Sequence, residues 1–100
     1  MVNSILANIS PFQKWINGTK TISTNITPLS IKSVICRSIR LMAKSTNTGK
    51  IFIGSDNLTT DNYSIFLNAN ESIDIEIDNL AKVYLIAEVD SEGVNYTYVI

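Results

Sequence analysis

The chain is 100 residues long, with 45% hydrophobic and 17% charged side chains and a formal net charge of −1. That length holds about one domain, the apolar fraction excludes general disorder, and no apolar run approaches the roughly 20 residues of a bilayer-spanning helix. With no histidine and one cysteine, Cys36, an internal disulfide, a Cys–His catalytic pair within one copy and the usual zinc sites are all excluded.

The small net charge hides an asymmetry. Up to Ser55 the chain carries Lys14, Lys20, Lys32, Arg37, Arg40, Lys44 and Lys50 and no acid, whereas from Asp56 onward it carries all nine acids and only Lys82. The expected outcome is cross-strand pairing within one domain, with Arg37, Arg40 or Lys44 over Asp74, Glu76 or Asp78, each pair contributing about 0.2–1 kcal/mol. The alternative is attraction between copies, giving a homo-oligomer, or a basic segment lying on an acidic partner. The cations are spread singly, without interleaved aromatics, so nucleic acid is not an expected partner. Residues 1–7 lack the positive region and long apolar core of a secretory leader, and none is expected.

Along the chain, residues 1–17 differ from the rest. Ile5, Leu6, Ile9, Phe12, Trp15 and Ile16 recur at roughly helical spacing, interrupted by Pro11 and closed by Asn17 and Gly18. The segment reads as a short arm or helical turn, with Ser10 as N-cap, that either plugs the core or docks Phe12, Trp15 and Ile16 on a neighbour. A two-residue period then takes over. Residues 19–27 form a thin strand suited to an edge, with Ile22 and Ile26 on one face, ended by Pro28. Residues 33–45 form a longer strand with Ile35, Ile39, Leu41 and Ala43 on one face and Arg40, Met42 and Lys44 on the other. Cys36, in an apolar run, reads as a small buried hydrophobe. Asn47, Thr48 and Gly49 predict a hairpin turn, with Gly49 at a positive-φ position, returning through residues 51–53.

Residues 63–67 form the next strand, and Asn68, Ala69 and Asn70 turn into the clearest stretch of the chain. In residues 72–78 three isoleucines, Ile73, Ile75 and Ile77, alternate with three acids, Asp74, Glu76 and Asp78, which is a half-buried strand and nothing else. Residues 82–89 predict a central strand with Val83, Leu85 and Ala87 facing one way and Tyr84 and Ile86 the other. Asp90, Ser91, Glu92 and Gly93 signal a hairpin, and Val94, Tyr96, Tyr98 and Ile100 line one face of the last strand. About seven short strands predict an all-β fold, an antiparallel β-sandwich or small barrel, with residues 1–17 as the arm or plug and residues 18–100 as one β domain.

Reactive chemistry is scarce. Carboxylates alternating on one strand stand about 6–7 Å apart, so Asp74, Glu76 and Asp78 read as a solvated face rather than a calcium site or a glycosidase pair. The glycines are isolated turn residues and form no phosphate loop. Tyr63, Tyr84, Tyr96 and Tyr98 can be read as a sugar platform, but strand propensity and core packing account for them. No catalytic, metal or cofactor-binding residue is expected, and the chain is not expected to be an enzyme.

Residues 39–98 do, however, carry a recurring pattern: Asn47, Thr48, Gly49 and Lys50 before Ile51, Phe52, Ile53 and Gly54; then Leu67 to Ser72; then Asn79, Leu80, Ala81, Lys82, Val83, Tyr84 and Leu85. This resembles small structural proteins of tailed bacteriophages, in which an Asn-Thr-Gly hairpin precedes a Gly-Glu-Ser turn, an acidic alternating strand and an Asn-Leu-x-x-aliphatic-Tyr strand. Asn70 stands where that pattern has glycine, and Asn is the residue that best tolerates left-handed backbone in its place. The resemblance implies a virion protein made in the host bacterial cytoplasm and placed on the capsid surface. Its expected role is auxiliary or decoration, binding the major capsid protein or other virion proteins and stabilising the shell. The alternatives are a head-fibre, collar or tail component and, from another class, a carbohydrate-binding adhesion module. Phe12, Trp15, Ile16, Arg37, Arg40 and Lys44 are the candidate partner-binding residues, and no membrane partner is expected.

Overall fold

A computed structural model describes residues 14–100. Its strands are β1 (Trp15–Ile22), β2 (Thr27–Pro28), β3 (Ser38–Ala43), β4 (Ile51–Gly54), β5 (Ile65–Leu67), β6 (Ser72–Ile75), β7 (Tyr84–Ala87) and β8 (Glu92–Val99), with a 3-10 turn at Leu80–Lys82. They form two four-stranded sheets, ordered β1-β8-β3-β6 and β2-β7-β4-β5, and all pairings are antiparallel. Strand β1 pairs with β8, β2 with β7, β3 with β6 and β4 with β5. The chain is therefore one long ribbon, doubled back at residues 55–64 and rolled so that successive paired segments fall alternately in the two sheets. That winding is the eight-stranded jelly roll, a form of β-sandwich.

Binary patterning explains the packing. Inward positions of the first sheet, Ile22, Ile39, Leu41, Ala43 and Val94, meet Ile51, Ile53, Leu67, Leu85 and Ala87 of the second in one buried cluster. On the outer face of the second sheet, Phe52, Leu58 and Ile86 form a smaller cluster with Phe66 and Tyr84 packed against it. Phe52 and Phe66 are opposite in register, and Tyr63 from the 55–64 loop lies 5.0 Å from the Phe52 ring, centroid to centroid. The aromatics of the tip thus tie the loop to its own hairpin.

Several expectations change. Trp15 and Ile16 begin a strand instead of a helical turn: β1 takes up Trp15–Ile22, and its pairing with β8 supplies main-chain partners that a five-residue helix could not. Residues 1–13, including Phe12, lie outside the described residues. Thr27 and Pro28 form a separate edge strand, and Ile26 is exposed in the connection instead of sharing the inward face of Ile22. Neither Asn47 nor residues 90–93 turn a hairpin: β3 and β4 lie in different sheets, and so do β7 and β8. β3 bonds to β6 and β8, whereas β4 lies in the opposite sheet, so residues 44–50 cross between layers. The central placement of β7, the edge placement of β1 and the half-buried alternation of β6 follow the sequence pattern.

Candidate partner-binding surface and the joints that shape it

Three polar side chains turn the motif segments into joints. Asn47 is buried, donates from Nδ2 to the Gly93 carbonyl at 2.9 Å and accepts from the Gly93 N–H at 3.0 Å, mimicking a strand residue beside β8. The Glu92 carboxylate accepts from the Thr48 N–H, from the Thr48 hydroxyl at 3.0 Å and from the Gly49 N–H at 2.8 Å. Those main-chain donors, Thr48 first, hold its pKa below the usual carboxylate range. Asn79 caps the 3-10 turn by accepting from Ala81 N–H at 2.9 Å, accepts from Val34 N–H at 3.0 Å and donates to the Ser33 hydroxyl at 2.7 Å. One side chain thereby fastens the β2–β3 connection to the β6–β7 connection.

Two turn residues behave differently from each other. Asn70 has φ 70°, as its place in the glycine slot of the pattern predicts, and both its N–H and the following Glu71 carbonyl bond to Ala43. Gly49, by contrast, is not at positive φ. Its role is close approach: a Cβ there would lie 2.9 Å from the Val89 side chain.

The candidate partner-binding residues do not form a single patch. Trp15 is 49% exposed on the outer face of β1, in register with Val99. Ile16 points the other way, half-buried opposite Tyr98. Arg37 is exposed on the far side of Val99, to whose carbonyl its N–H donates at 2.8 Å. Lys44 sits at the opposite end of β3, its N–H bonded to the Gly93 carbonyl and its stem packed over Gly93. Arg40 is consumed within the fold. It faces Asp74 in register and makes a two-point contact at 2.7 and 3.2 Å, and that hydrogen bonding raises the guanidinium pKa further. Asp78 pairs with Lys82 at 2.8 Å, not with Arg37 or Lys44, because the two are four residues apart across the 3-10 turn; that contact lowers its pKa.

Cys36 is buried and its thiol lies 3.3 Å from the Ile77 carbonyl; burial, then the nearby Asp78 charge, pushes its pKa up. It is a packing residue. The tyrosines form no common platform. Tyr63 and Tyr84 belong to the outer cluster of the second sheet, whereas Tyr96 and Tyr98 stack on each other at 6.2 Å and pack on the main core, with Tyr96 filling the space a Gly18 side chain would need. Among the described residues no group of three or more Cys, Asp or Glu is placed to hold a metal ion.

Two surfaces escaped the sequence reading. In the 29–37 connection Ile31 is 86% exposed and Ile35 69%, beside Lys32 and Arg37. The alternation from residue 33 predicts Ile35 on the inward face with Ile39, but β3 begins only at Ser38 and Ile35 is left exposed; for Ile31 the only signal was its place among Ser30, Lys32 and Ser33. The other is a mostly apolar cleft of about 450 Å³ on the side where β5 and β6 form the edges of the two sheets, whose lining includes Ile65, Ile73, Ile75 and Ile77 together with Glu76 and Lys82.

Fold and surfaces together define a small jelly-roll β-sandwich with exposed apolar and charged regions. No protein-family model matches the sequence, and no curated protein aligns with it.

Proposed function

We propose that this chain is a structural protein of a tailed-bacteriophage virion, acting as a capsid auxiliary or decoration protein that adheres to the shell and stabilises it. The reading is carried by the motif resemblance over residues 39–98, and it gains support from what the motif residues do. Asn47, Asn70 and Asn79 each hold a joint of the sandwich, so the pattern describes one way of building this scaffold. Jelly rolls recur in viral coat domains, which supports the reading by analogy of fold. Exposed Ile31 and Ile35, beside Lys32 and Arg37 in the chain, and exposed Trp15 on β1 suit adhesion to another protein chain. Occupancy at many equivalent positions would raise shell stability by mass action.

The same fold also hosts lectin domains, so attachment to glycans as a fibre, collar or tail component is the second reading. The deciding experiment locates the chain in intact particles by electron cryomicroscopy. Density at regular positions on the capsid lattice is the expected result. Density confined to a vertex, collar or tail would replace the decoration role, and absence from particles would overturn the virion reading.

A further inference from the structure

We propose that the β5–β6 side of the sandwich is a strand-addition site, which accepts an extended peptide segment with aliphatic side chains at alternate positions and Lys or Arg between them. The proposal rests on the adhesive role above and names the chemistry of the partner segment. Among the described residues no strand pairs with the outer edge of β6. Ala43 bonds to Asn70 N–H and Glu71 C=O, so by antiparallel alternation Ile73 and Ile75 turn their main-chain groups toward β3. The N–H and C=O groups of Ser72, Asp74 and Glu76 therefore face outward along the free edge.

Beside that edge the described residues leave the sandwich unfilled. Ile65, Ile73, Ile75 and Ile77 are only half-buried, and the cleft they line runs between the two sheets. A strand added to β6 would aim every second side chain into this cleft, where apolar groups gain most from burial. Its remaining side chains would lie on the outer face beside Asp74, Glu76 and Asp78. Asp74 and Asp78 each hold one cation already, whereas Glu76 between them has no cation within 4.0 Å among the described residues. Acids along the edge repel a second acidic β6 edge and attract a basic strand, so the same residues discourage self-pairing and select the partner.

The probe is a capped heptapeptide alternating lysine with isoleucine, titrated into the full chain and followed by amide and methyl NMR shifts. Expected are saturable shifts centred on residues 72–77 and the Ile73, Ile75 and Ile77 methyls. N-methylation of one alternate set of peptide amides should abolish binding, while methylation of the other set should leave it unchanged, because only one set faces the edge. Glu76→Lys, at an exposed position, should weaken binding at least threefold, and glutamate in place of the peptide lysines should abolish it. Equal binding of both N-methylated peptides, shifts centred elsewhere, or no shift at about 1 mM peptide would overturn strand addition. So would binding that appears only after residues 1–13 are removed, since the groove would then serve the chain's own segment. The site of the chain in particles is read separately, so either idea can fail alone.

Discussion

Two isoleucine-bearing alternations in this protein share a pattern and differ in fate. On β3, Ile39, Leu41 and Ala43 are fully buried, while on and just after β6, Ile73, Ile75 and Ile77 remain half-exposed, although they face the same interior. Among the described residues β3 has hydrogen-bonded neighbours on both sides and a sheet opposite, whereas β6 has one neighbour and borders a cleft. Alternation says which face is apolar. The number of flanking strands says how deeply that face is buried.

The largest effects should separate these two regions. Leu41→Ala should cost about 2–5 kcal/mol, and Ile75→Ala no more than about half of that, because solvent already reaches the second site; equal losses in urea unfolding would break the distinction. Next comes the layer-crossing joint. Asn47→Ala leaves the buried Gly93 N–H without its partner, while the Gly93 carbonyl keeps the Lys44 N–H, and should cost about 1–3 kcal/mol by the same measurement.

Glu92 belongs to that joint and should show itself in acid. Its folded pKa is lowered, so the stability it contributes is fully present above the ordinary carboxylate range and is lost as pH falls through the depressed value. Glu92→Gln should lower stability at neutral pH and flatten the acid limb of the stability profile; parallel limbs for the two proteins would show that the carboxylate charge is irrelevant. The smallest effect lies on the open side. Arg40 and Asp74 side chains are 35% and 28% exposed, so a double-mutant cycle with Arg40→Ala and Asp74→Ala should yield only about 0.2–1 kcal/mol, shrinking with salt.

Some of the site was readable in advance and some was not. The Arg40–Asp74 contact was within reach because a basic first half and an acidic second half on alternating strands have few ways to face each other. The scattering of Trp15, Arg37 and Lys44 was not, since their separation depends on which strands flank β8. The layer crossing at residues 44–50 misread as a hairpin for a similar reason. A turn signature specifies a change of direction, while the identity of the next hydrogen-bonding neighbour is set by β8 inserting between β1 and β3.

By itself the sequence determined the strand character of most segments, most of their inward and outward faces, the buried thiol and the left-handed turn at Asn70, because each follows from local sterics and a two-residue period. The tertiary structure alone decided the rolling of the ribbon into two sheets, the conversion of Asn47, Glu92 and Asn79 into joints, and the cleft beside β6. Those depend on contacts between residues some 40 or more positions apart, and no local pattern encodes which distant main-chain group a side chain will meet.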